Sequence, residues 1–149
     1  MRRRQSGFTL IELLVVITLI AIASSVVTLA MRDPAATRLE QEAARLTALL
    51  ESARAEARAA GLAARWEPRA EQADRPGFRF IGLPDAAQRP SAWLGEGVSA
   101  EVVGARAVVL GPEPMIGAQR IVLRLDAQRL ELATDGLGPF TVVGNEAGP

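Results

Sequence analysis

The 149-residue sequence contains no cysteine, histidine, tyrosine or lysine. Without cysteine there is no disulfide framework, thiolate nucleophile, iron–sulfur cluster or Cys-type zinc site. Without histidine the Ser-His-Asp triad, the common zinc sites and the usual general base are excluded too. Ordinary enzymology is therefore a poor fit, and no catalytic residue, metal ligand or cofactor is expected. All 17 basic residues are arginine; they are scattered, which reads as a compositional bias rather than a site. They balance 17 Asp and Glu, so no global field recruits nucleic acid or acidic substrates. The length accommodates one domain plus an appended segment. A domain of that size can rely on a hydrophobic core without disulfides, even outside the cytoplasm.

What the sequence does have is a long apolar run. Phe8 to Met31 reads FTLIELLVVITLIAIASSVVTLAM, and 24 residues of helix extend about 36 Å at 1.5 Å per residue. That is enough to cross a hydrocarbon core of about 30 Å. Thr18, Ser24, Ser25 and Thr28 are mild interruptions whose hydroxyls can bond back to helix carbonyls. Arg2, Arg3 and Arg4 precede the run and place the N-terminus in the cytoplasm by the positive-inside tendency. Without these three, a chain starting at Phe8 carries 14 Arg against 17 acids, a net charge of about −3.

An ordinary secretory signal has the same outline, with Ala21-Ile22-Ala23 as its cleavage site before Ser24. Glu12 argues against it. An ionised carboxylate at the centre of a bilayer helix costs on the order of 2.5–3.5 kcal/mol, and an intramembrane acid is a functional candidate by default. Cleavage between Gly7 and Phe8 would create an α-amine four residues before Glu12, one turn away at the positive end of the helix dipole. The carboxylate can then pair with its own amine or with that of a neighbouring subunit. Because an unpaired buried charge penalises misplacement, such a pair sets register more than it adds stability.

Ser6-Gly7-Phe8-Thr9-Leu10-Ile11-Glu12-Leu13 resembles the class III signal shared by type IV pilins and by the pseudopilins of type II secretion. The resemblance implies that a prepilin peptidase cuts after Gly7 and N-methylates Phe8, and that Glu12 guides subunit assembly.

Beyond the run, Asp33-Pro34 reads as an N-cap followed by proline at the first helical position. It marks either a kink or the start of a second helix. Leu39, Ala43, Leu46, Leu50, Ala53, Ala57 and Ala60 recur at alternating spacings of three and four, an apolar stripe on an amphipathic helix. Packing against the protein's own sheet is favoured over a coiled-coil seam, because small alanines dominate its second half. Pairs of Arg38 with Glu42 and of Glu51 with Arg54 are expected on a solvated face, and Gly61 is a C′ stop.

After Gly61 the period shortens. Gly77–Ile81, Val98–Val103, Ala107–Leu110, Ile121–Leu125, Leu130–Leu132 and Phe140–Val143 are strand candidates, separated by turn signals that include Arg75-Pro76-Gly77 and Asp126-Ala127-Gln128. Gly144 to Pro149 reads as a frayed tail.

The predicted fold class is α+β: a long N-terminal helix, membrane-spanning and then amphipathic, packed on a C-terminal antiparallel β-sandwich head. The divisions are a leader at 1–7, a transmembrane helix at 8–31, an amphipathic helix at 32–61, the head at 62–144 and a tail at 145–149.

Gly61, the Gly77-Phe78-Arg79-Phe80 strand, Trp93 and Asp135-Gly136-Leu137-Gly138-Pro139-Phe140 resemble the minor pseudopilin of the H class, whose domain is shared by FimT-type minor pilins. That resemblance implies a non-enzymatic structural subunit, single-pass in the bacterial inner membrane with its head in the periplasm. Its implied partners are the prepilin peptidase, other minor and major pseudopilins and an inner-membrane assembly platform. A minor pilin of a type IV pilus and a secreted binding module are the alternatives.

Asp126, Glu131 and Asp135 are read as turn and strand surface rather than a paired-carboxylate site, and Trp66 and Trp93 as core or interface packing. No base follows Arg129, so no nucleic-acid partner is expected.

Overall fold

The computed structural model describes residues 9–30, 33–69 and 77–147, with side chains described as far as Ala23 in the first helix and Gly144 in the last strand. The chain divides into two compact units, 1–33 and 34–149. The first holds one helix, α1 (Leu10–Ala30). Thr9 caps it, accepting the Glu12 N–H on both its carbonyl oxygen (3.1 Å) and its hydroxyl (3.4 Å). The Thr18 hydroxyl donates to the Leu14 carbonyl at 2.7 Å, as the sequence suggested.

The second unit opens with α2 (Pro34–Ala60), so proline takes the first helical position, where a missing N–H costs nothing. Whether the chain kinks or breaks ahead of it falls on Met31 and Arg32, outside the described residues. The helix ends in a Schellman motif: the Leu62 N–H bonds the Ala57 carbonyl at 2.8 Å and the Gly61 N–H that of Arg58 at 3.4 Å. Gly61 takes φ +65° to make this turn, a region that costs a residue bearing a Cβ.

Among the described residues seven strands follow: β1 (Arg65–Arg69), β2 (Gly77–Ile81), β3 (Ser99–Val102), β4 (Val108–Val109), β5 (Gln119–Leu125), β6 (Gln128–Thr134) and β7 (Thr141–Ala147). They form two antiparallel sheets, ordered β2-β1-β4 and β3-β5-β6-β7. α2 lies against β5 and β6. Its stripe (Ala35, Leu39, Ala43, Leu46, Leu50, Ala53, Ala57) joins one core with Trp66 and Phe78 from the smaller sheet, Ile121, Leu123, Leu130 and Leu132 from the larger, and Phe140. Every sequence-derived strand candidate finds a counterpart among these seven.

Four expectations need correction. β1 went unforeseen because RWEPR carries two arginines, a glutamate and a proline. Pro68 is tolerated because β4 pairs only with Arg65 and Trp66, leaving the β1 edge open where the missing N–H would fall. The tail begins later than expected, since β7 continues to Ala147 through pairing with β6. Ala60 is exposed, because the Schellman turn leads the chain away at its position.

The charges of α2 provide the fourth and largest correction. Glu42 and Arg54 are 2% and 1% exposed, and apart from Arg45 their partners lie elsewhere in the head. Arg54 donates to the carbonyls of Gly136 (2.5 Å), Gly138 (2.6 Å) and Leu137 (3.4 Å). Glu51 accepts the Phe140 N–H at 3.1 Å. Glu42 accepts the N–H groups of Leu94 and Gly95 and pairs with Arg45 at 3.5 Å. Arg45 reaches the Ala92 carbonyl at 3.1 Å, and Glu56 pairs with Arg89. A charge withdrawn from water must be hydrogen-bonded to be tolerated. The connection between β2 and β3 and the one between β6 and β7 supply those bonds.

Arg54→Ala is expected to cost about 3 kcal/mol, because three carbonyls lose a charged donor and only two of them keep another, Gly138 from the Thr134 hydroxyl and Gly136 from the Ile116 N–H. The exposed Arg58→Ala should stay within about 0.5 kcal/mol, and urea unfolding of a 34–149 fragment, which contains the whole core, checks the contrast. Gly136→Ala should exceed both, since Gly136 has φ +93° and an added Cβ would stand 2.6 Å from the Gly117 carbonyl oxygen. Gly144→Ala, with nothing within 4 Å, is expected to be near neutral in the same experiment.

Candidate assembly segment and head surfaces

In α1 the sequence leaves no polar face. From Leu10 to Ile22 the large apolar side chains point in every direction and are 44% to 82% exposed. A helix that is apolar all round needs an apolar environment, either lipid or other helices. Glu12 is the one charge among Thr9–Ala23. It occupies the third helical position, in the first turn after the Thr9 cap, where a carboxylate is favoured by the helix dipole.

The backbone is helical over 21 residues, about 32 Å. Among the described residues no helix is long and apolar enough to cross a membrane; the described side chains of α1 stop at Ala23. The cleavage and methylation positions, Gly7 and Phe8, lie outside the described residues.

In the head, Asp126, Glu131 and Asp135 serve separate local purposes. Asp126 begins the two-residue β5–β6 turn with φ +52°. Glu131 is bridged by Arg120 at 3.0 Å and Arg129 at 3.8 Å on the outer sheet face, contacts worth at most about 1 kcal/mol each. Asp135 accepts the N–H groups of Leu137 (2.9 Å) and Gly138 (2.8 Å). The bonds from Gly138 and then Leu137 hold its carboxyl below the ordinary carboxylate value. No group of three His, Cys, Asp or Glu arranged to hold a metal occurs among the described residues.

Trp66 is fully buried and stands 5.9 Å from Phe78, ring centre to ring centre. The partly buried Trp93 meets Phe78 edge-on at 4.7 Å. Both indoles therefore pack the head, and Trp93 helps to seat the long β2–β3 connection whose next two N–H groups bond Glu42. That seat was not foreseen. The available signal was spacing: Glu42 lies three residues after Leu39 and four before Leu46, and Arg54 four after Leu50 and three before Ala57. Both are core positions by period, occupied by charges.

Residues 2–28 match the family model described as the prokaryotic N-terminal methylation motif. The fold is similar to that of the type IV minor pilin FimU of Pseudomonas aeruginosa in its crystal structure, with a TM-score of 0.57 over 72% of this chain and 90% of that one at 13% identity. The chain is type IV pilin-like in its fold and its N-terminal motif. A comparison with curated proteins gives no significant sequence match. For a pilin-like chain, a methylation motif points to a membrane anchor and, in general terms, to a prepilin peptidase and other pilins as partners.

The Asp135 turn generates a pH dependence. Its carboxyl is depressed in the folded state, so its contribution is complete above the ordinary value of 3.8 and is lost as pH falls through the lower folded value. Asp135→Asn should flatten the loss of stability below about pH 4, read as thermal midpoints of both proteins across an acid series.

Proposed function

We propose that this chain is a non-enzymatic minor subunit of a type II secretion pseudopilus, acting in its initiation or at its tip in protein export across the outer membrane. The observation that carries the reading is Glu12: a lone carboxylate in the first turn of a helix that is otherwise apolar on all sides, inside a matched methylation motif. In this reading a prepilin peptidase removes residues 1–7 and methylates Phe8. The helix then holds the subunit in the inner membrane, N-terminus inward and head in the periplasm, until it is drawn into the filament.

The dehydrated carboxylate of Glu12 is costly while alone and is neutralised by the α-amine of a neighbouring Phe8. Docking in the correct register thus relieves a penalty that any other register keeps. The absence of histidine and cysteine supports a structural rather than a catalytic role, and the head motifs that resemble the H class support the secretion system. The FimU fold favours a second reading, a minor pilin of a type IV pilus, with the same N-terminal chemistry.

Two experiments test this. Glu12→Ala should leave membrane insertion and processing intact and reduce recovery in sheared filaments at least about ten-fold, the scale of a 1.4 kcal/mol penalty. Unchanged recovery would remove the role of Glu12. Deletion of the gene should abolish exoprotein secretion and spare twitching motility, whereas the reverse pattern would assign the chain to a pilus.

A further inference from the structure

We draw no further inference here: the strongest candidate, the open outer edge of β7 with its exposed Val142 and Val143 beside the groove lined by Ala133, Pro139 and Thr141, is an unpartnered apolar sheet edge, and nothing in the structure shows what covers it.

Discussion

A guanidinium buried in a protein interior has to be met by oxygen atoms, and for Arg54 these are the carbonyls of residues 136 to 138. Much of the head's architecture follows from that requirement. The loop must turn its carbonyls inward, which places Gly136 at a positive φ against the backbone of Gly117. Thr134 and Asp135 then satisfy the N–H groups left facing the other way. Glu51, one turn before Arg54, takes the Phe140 N–H where the loop ends. The chain leaves that clamp aimed along β6, and β7 pairs there as the edge of the four-stranded sheet. α2 is thus more than an apolar stripe on which a sheet rests: its charges select which loops lie beside it and in what conformation.

The same logic operates nearer the start of α2. Glu42 and Arg45 fix residues 92–95, and Glu56 holds Arg89. Gly82 to Val98 is a long stretch without strand or helix, yet it is tied to the helix at several points and by the Trp93–Phe78 contact. The entropy of ordering such a segment is large, and buried charge-assisted hydrogen bonds are among the few local interactions strong enough to oppose it.

How much of this the sequence disclosed depends on the range of the interaction. The stripe from Leu39 to Ala57, the stop at Gly61 and the β5–β6 hairpin are set by neighbours a few residues apart, and all were legible. The burial of Glu42 and Arg54 is hidden from helix-pair rules, which consider only positions three and four away: beyond Arg45, Glu42 is met by N–H groups 52 and 53 residues further along, and Arg54 by carbonyls 82–84 residues further along. β1 was hidden because its residues contradict strand propensity, and only the register with β2 and the short reach of β4 make room for Pro68. At the N-terminus the reverse holds. Glu12 stands out in sequence because it breaks an apolar run, and its third-position placement behind the Thr9 cap adds geometry to a candidate already visible.

The two units divide the physical tasks. The head gains its stability from a core and clamped loops contained within residues 34–149, while α1 is a separate unit, apolar on all sides with a single carboxylate in its first turn. That division is what a subunit needs if it is to wait in a membrane and later enter a bundle of like helices. The account depends on a free amine arising four residues before Glu12. The most direct measurement is therefore the intact mass and N-terminal sequence of the protein extracted from membranes of its native host. A chain beginning at methylated Phe8 is the predicted result. A chain beginning at Ser24 would mean ordinary secretion, with Glu12 discarded, and would contradict the account.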